Sequence, residues 1–296
     1  VKGIIWIIFL ICICSVIHGL NPQKTEVAND LPYEKFVPFR SPVRIAYSSD
    51  GLVYVTDFQK KYVAVMKIQY NMLRVIRIIP VNGNPLGLAV HPKGYILVGN
   101  NSTNRVEAYS MTGEFKLVLE GEIKRPNDIA ISSKGFIYIV ASDENMVKVY
   151  DLKGNYRGSF GSPGSEEGQF NFPTGITVDD INKRILVSDF LNKRVQIFDY
   201  RGNWLKTIGG GWFSSVVDRP QGIAIDKVGR IYVVDSKQAC VLRFDESGKF
   251  LDIFGEYGHK DGQLRIPLDI AIDGNDNILV TSNQNARVEM FTGGAK

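Results

Sequence analysis

From about residue 40 onward, short apolar runs alternate with turns that contain Gly or Asn. One phrase begins at six prolines, Pro42, Pro85, Pro126, Pro173, Pro220 and Pro267, spaced by 43, 41, 47, 47 and 47 residues. Each proline is followed by a first apolar stretch, such as Gly87-Leu88-Ala89-Val90 or Asp269-Ile270-Ala271-Ile272. After a turn comes a second, such as Val53-Tyr54-Val55 or Ile231-Tyr232-Val233. A third run alternates, as in Val195-Gln196-Ile197-Phe198-Asp199, which is the period of a half-buried strand. Four copies then carry a glycine turn (Gly113, Gly154, Gly202, Gly248), and a fourth strand such as Phe250 to Phe254 closes the unit.

Four short strands per forty-odd residues is the arithmetic of a propeller blade, because one such antiparallel sheet cannot bury both faces until neighbours stack on it. The predicted fold class is all-β: a six-bladed β-propeller with four antiparallel strands per blade. The sixth copy reaches Lys296 soon after its third strand, Val288 to Phe291. The segment Tyr33-Glu34-Lys35-Phe36-Val37-Pro38-Phe39, just ahead of the first proline, reads as a fourth strand. It is expected to pair with the third strand of blade six, closing the ring and protecting the sheet edge. The propeller is thus expected over residues 33–296, after a linker at 20–32.

The phrase Pro-x-Gly-Ile-Ala-Ile-Asp, then Gly-x-Ile-Tyr-Val-x-Asp, Arg-Val-x-x-Phe-Asp and Gly-x-Phe-x-x-x-Phe-Gly resembles the NHL repeat of six-bladed propellers. The linkers Phe160-Gly161-Ser162-Pro163-Gly164 to Phe170 and Phe254-Gly255-Glu256-Tyr257-Gly258 to Leu264 are similar to that family's as well. All six copies carry the resemblance, from about residue 33 to 296. It implies a fold used by binding platforms for protein or RNA and by a peptide-amidating lyase. No zinc-binding Cys/His cluster of a ligase module precedes the propeller, so a ligase function does not follow from the fold.

Composition changes this picture little. The 296 residues are 44% apolar and 22% charged, which excludes wholesale disorder and a coiled coil. A formal charge of +4 without a long basic run gives no sign of a nucleic-acid binder. The N-terminus adds more. Lys2 precedes an apolar run from Ile4 to Ile17, too short to span a ~30 Å hydrocarbon core comfortably but suited to a secretory signal ending near His18-Gly19. Residues 1–19 are read as a signal peptide, with an uncleaved anchor as the alternative. The expected location is extracytoplasmic: secreted, periplasmic or at the cell surface. A mature chain would keep only Cys240, so it would hold no intrachain disulfide and no cysteine-based metal site.

Three sets of positions carry candidate chemistry. At the end of each second strand a polar residue stands five positions before the third, giving Asp189 with Arg194, Asn100 with Arg105 and Ser282 with Arg287. These are expected to be structural latches in which Asp or Asn caps the turn and holds its own arginine; the competing reading is a basic ring for an anionic partner. Cys240 fills the same slot and is expected to be structural. The second set lies two residues after each proline, where glycine should keep the channel mouth open. Here the six are Arg44, Gly87, Asp128, Gly175, Gly222 and Asp269. Asp269 is expected to pair with Arg44 while Asp128 stays unpaired across the channel, a tentative ligand-binding mouth completed by Asn127, Thr174 and Gln221. A solvated ion pair with no ligand is the competing reading. No cofactor is predicted, and a divalent cation in the channel is the one that the carboxylates leave open. Third, Gly209 to Val217 interrupts the standard linker with Trp212 and Phe213, a tentative partner contact whose alternative is packing between blades four and five.

The histidines His91 and His259 lie far apart in the repeat, so no zinc site of the amidating-lyase kind is expected, and no catalytic residue is assigned. The overall expectation is an exported, non-enzymatic, monomeric platform for a protein or polymer. The first alternative is a propeller hydrolase or lyase with a metal at the channel mouth. The second is an intracellular RNA-binding or ubiquitin-pathway adaptor using Lys183, Arg184, Lys193 and Arg194. An exported protein meets no RNA, and membrane contact would come only from an uncleaved N-terminal segment.

Overall fold

A computed structural model of the chain describes residues 39–210 and 216–292. Every predicted proline opens an innermost strand: Pro42–Tyr47, Pro85–His91, Pro126–Ile131, Pro173–Asp179, Pro220–Ile225 and Pro267–Ile272. Each is followed by antiparallel neighbours in sequence order, giving five four-stranded sheets and, among the described residues, a three-stranded sixth. The fold is a six-bladed β-propeller. Gly113, Gly154, Gly202 and Gly248 sit in the outer hairpin turns at φ between 83° and 97°, where a Cβ is disfavoured. Blade one turns instead through Tyr70 and Asn71, both at positive φ.

The sequence of each strand follows its radius. Second strands such as Arg184–Asp189 are buried on both faces by the neighbouring blades, so they read as continuous apolar runs rather than alternations. Outermost strands such as Phe250–Phe254 are largely exposed. The hydrophobic core accordingly lies in six clefts between blades. One cleft joins Tyr138 and Val140 of blade three to Ile176, Ile185 and Val187 of blade four. Another joins Ile45, Val53 and Val55 of blade one to Ala271 and Leu279 of blade six. That sixth cleft closes the ring.

Most of the expected closing strand, Tyr33 to Pro38, lies outside the described residues. Its last residue, Phe39, is buried in the blade-six to blade-one cleft, with Val288 and Met290 against the same cluster. Polar stitches cross that seam as well. Thr281 Oγ1 donates to the carbonyl of Val43 at 3.0 Å, and Asn283 Nδ2 donates to the carbonyl of Pro42 at 3.0 Å. No helix among the described residues is long and apolar enough to cross a membrane.

Candidate functional site at the ring centre

Arg44 is the third residue of the innermost strand of blade one, where its side chain faces the axis. It is 1% exposed, so it is enclosed within the ring rather than standing at an open mouth. Its guanidinium meets blades three, four and six. Nε donates to the carbonyl of Asn127 at 2.9 Å, one terminal nitrogen to the carbonyl of Thr174 at 2.5 Å and to Asn127 Oδ1 at 3.3 Å, and the other to the carbonyl of Leu268 at 3.2 Å. The same group lies 3.7 Å from Asp128 Oδ1 and 3.4 Å from Asp269 Oδ1. A planar fork with five donors suits such a convergence of acceptors.

Asp128 is therefore not left unpaired across the channel. Arg44 is long enough to reach both carboxylates, and each carboxylate also accepts a backbone N–H from the next blade. Asp128 Oδ2 accepts from Ile176 at 2.9 Å and Asp269 Oδ2 from Ile45 at 2.8 Å. Gln221 does not join them: its side-chain amide donates to Ser236 Oγ at 3.3 Å. The Thr174 hydroxyl likewise points away, donating to the carbonyl of Pro220. Asn127 does take part, and its Nδ2 donates to Ser142 Oγ at 3.0 Å.

The glycines at the equivalent positions have a sharper role than keeping a mouth open. A Cβ on Gly175 would fall far inside contact distance of the Gln221 carbonyl, and one on Gly222 would collide with the Asp269 carboxylate. Adjacent innermost strands approach so closely that only glycine fits where no side chain reaches inward.

Two buried carboxylates share one guanidinium, which leaves one negative charge without a full counter-charge. Burial pushes the Asp269 carboxyl up to about 7, against the pull of Arg44 and with the nearby Asp128 charge adding to the rise. Asp128 is raised too, chiefly by burial, with Arg44 and the Ile176 and Ile129 amides opposing. On one side of this cluster the channel widens into a cavity of about 290 Å³. Asp128 and Asp269 line its inner end, and its wall carries the small residues Ala46, Ala89, Ala130 and Thr177. Among the described residues no group of three or more His, Cys, Asp or Glu side chains could hold a metal ion.

The latch positions differ from expectation in what they hold. Asp57 accepts four backbone N–H groups, from Arg40, Ser41, Gln59 and Lys60, and Asp235 accepts from Asp218, Arg219, Lys237 and Gln238. They tie the incoming inter-blade linker to the outgoing turn. Only Asp189 holds its arginine, at 2.8 Å from Arg194 Nε. Arg287 pairs with Glu289, and Arg105 is exposed rather than held by Asn100. Of the residues considered for RNA, Arg184 pairs with Asp179 and Lys193 with Asp218. The six-way register makes the linker capping visible only once the strands are placed.

Trp212 and Phe213 lie outside the described residues; Val217, at the end of their loop, packs between blades four and five beside Val195, Ile208 and Cys240. Burial pushes the Cys240 thiol up to about 12, which suits a packing role. His91 is buried, and its Nδ1 accepts the Lys93 N–H at 3.1 Å. Aspartates do the same at the matching turns, as Asp226 does for Val228. His259 lies instead beside Arg265 in a linker.

Residues 45–255 match the model of the SMP-30/Gluconolactonase/LRE-like region, and the chain belongs to that family. Its repeats are those of an NHL-like propeller. It is 26% identical over 144 residues to Protein brain tumor of Drosophila melanogaster, covering 48% of this chain and 13% of that one. It is 32% identical over 83 residues to the E3 ubiquitin-protein ligase NHLRC1 of Homo sapiens, covering 28% of this chain and 20% of that one. The chain thus spans a fifth or less of these relatives. Among solved structures it resembles virginiamycin B lyase from Staphylococcus aureus, a catalytically inactive histidine-to-alanine variant with quinupristin. The TM-score is 0.61 at 15% identity, over 84% of this chain and 79% of that one. That likeness is one of fold.

Proposed function

We propose that this member of the SMP-30/gluconolactonase/LRE-like family is an exported, non-enzymatic, monomeric platform that binds a protein or polymer partner on its rigid ring. The observation that supports it is Arg44. Its side chain fills the axis where a propeller enzyme needs open ligand positions, and it occupies both acidic residues that the pattern offers for a metal. A guanidinium within 4 Å repels an incoming cation, and displacing it would strand a buried charge. The NHL-like relatives fit the same reading, since a ubiquitin ligase must hold a substrate protein. Export rests on the character of residues 1–19.

A second reading draws on the family's gluconolactonase branch: the cavity ends on Asp128 and Asp269, so a hydrolase could seat a divalent ion there if Arg44 withdrew. Metal analysis of the purified chain separates the two. The platform reading expects no stoichiometric divalent ion and no lactone hydrolysis. One equivalent of metal that is lost in the Asp128→Ala, Asp269→Ala double variant, together with turnover lost in parallel, would overturn it.

A further inference from the structure

Outermost strands in blades two to five are short: Phe115–Val118, Tyr156–Phe160, Trp204–Gly209 and Phe250–Phe254. In blade one the outermost strand is Met72–Pro80, nine residues long, and its hairpin partner Tyr62–Gln69 is lengthened with it. Short edge strands discourage pairing with other chains, and a long one invites it. Among the described residues nothing pairs with the outer side of Met72–Pro80.

The chemistry of this edge is one-sided. Between Phe58 and Val106 the chain has seven Lys and Arg and no Asp or Glu, so the rest of the chain is net acidic against a total of +4. Lys67 and Arg74 stand directly opposite each other in the hairpin, both exposed. Like charges in that position oppose the fold, and no carboxylate relieves them among the described residues. Beside them Tyr70, Met72 and Ile76 are 85%, 52% and 47% exposed, while Leu73 and Val75 on the other face are half-buried against the cleft of blades six and one.

We propose that the outer edge of blade one docks an extended acidic segment of a partner protein, which adds to Met72–Pro80 as a further strand. This rests on the platform reading and names its partner chemistry. Strand addition supplies main-chain hydrogen bonds, and alternate side chains of the guest face Arg74 and Lys67 on one side and Leu73 and Val75 on the other. The guest therefore alternates acidic and apolar residues. A second copy of the chain is a poor guest, because it would bring its own Arg74 and Arg77 to an edge that already carries both.

The test is fluorescence anisotropy on the full chain with a labelled peptide of alternating Glu and Val, roughly ten residues long to match the strand. Binding is expected at low salt, and it should weaken at least about tenfold in Lys67→Glu and in Arg74→Glu. Lys67→Glu creates an opposite-charge pair with Arg74, so its loss of binding cannot come from unfolding. Amide exchange across Met72–Pro80 should slow when the peptide binds. Equal binding by the variants, equal binding of a Lys-Val peptide, or protection elsewhere overturns the proposal. So does binding to phosphatidylserine vesicles without the peptide, or self-association in sedimentation that Arg74→Glu abolishes. A native partner retained equally by wild type and Lys67→Glu refutes the edge and leaves the platform standing; metal-dependent turnover refutes the platform and leaves the peptide result untouched.

Discussion

Two arginines of blade one, on its innermost and outermost strands, occupy opposite electrostatic worlds. Arg44 is enclosed at the axis, with carbonyls from three other blades and two carboxylates around it. Arg74 is exposed on an edge strand, opposite Lys67, with no acidic partner among the described residues. Desolvation makes the inner charge intolerable unless it is fully partnered, so its neighbours must be supplied by the fold itself. Solvent makes the outer charge cheap to leave alone, so its partner can come from outside. Within one blade, the centre is arranged for cohesion, while the rim leaves its charges to solvent.

The largest effect that distinguishes them is expected at Arg44. Arg44→Leu removes the cation that pairs with two buried carboxylates and strands three carbonyl acceptors. It should destabilise the chain by roughly 3–5 kcal/mol, read by denaturant unfolding, whereas Arg74→Leu should leave the midpoint nearly unchanged. If the axis is structural, Arg44→Leu combined with Asp128→Asn and Asp269→Asn recovers much of the loss, because the uncompensated charge is gone. A triple variant as unstable as the single one would sink that explanation.

The second expectation is a pH dependence of unusual sign. Asp269 titrates near 7 in the folded chain, above an ordinary aspartate, so the folded state binds more protons than the unfolded state between about 4 and 7. The stability from this group is complete below the unfolded value and is lost as pH rises through 7. Between pH 5 and 8 wild type should lose about 1–3 kcal/mol from this source. Asp269→Asn should flatten the profile and match or exceed wild type at pH 8, since an amide still accepts the Ile45 N–H. A profile that stays as steep in the variant would refute the assignment.

A smaller effect is expected at the seam. Thr281→Val keeps the shape but deletes the hydroxyl that accepts the Asp269 N–H and donates to Val43. Calorimetry should register a loss of about 1–2 kcal/mol, since both groups are buried. No change at all would mean that the sixth cleft is held by its apolar contacts alone.

How much of this was legible in the sequence depends on the range of the interaction. The six prolines, the strand runs and the hairpin glycines are local signals, and among the described residues the strands they predict appear where their period placed them. Arg44 and Asp269 were found because closing the ring makes blades one and six neighbours. The reach from Arg44 to Asp128 was not, since it depends on the diameter of a channel that no repeat length states. Register places Gln221 beside the axis, but its side-chain amide donates to Ser236 rather than joining the cluster, a choice of partner that no repeat states. The turn capping by Asp57 and Asp235 follows from the repeat, but their hold on the incoming linker was not legible, because those amides converge on them only in three dimensions. The long fourth strand of blade one, Met72–Pro80, departs from the repeat in length rather than in kind, so no period marks it.

The smallest expected effect separates rim from centre by salt alone. Lys67→Glu turns a repulsive cross-strand pair into an attractive one, so the midpoint should rise by up to about 2 °C at low ionic strength. Both groups are exposed, and the Debye length falls from ~10 Å at 0.1 M to ~3 Å at 1 M, so added salt should erase most of that gain. The loss in Arg44→Leu should persist in the same salt, because ions cannot enter a guanidinium cage that is 1% exposed. Thermal melts of the two variants across a salt series measure both responses at once. If the Arg44→Leu deficit shrank in step with the Lys67→Glu gain, the axis would be wet, and the case for a sealed, non-catalytic centre would fall.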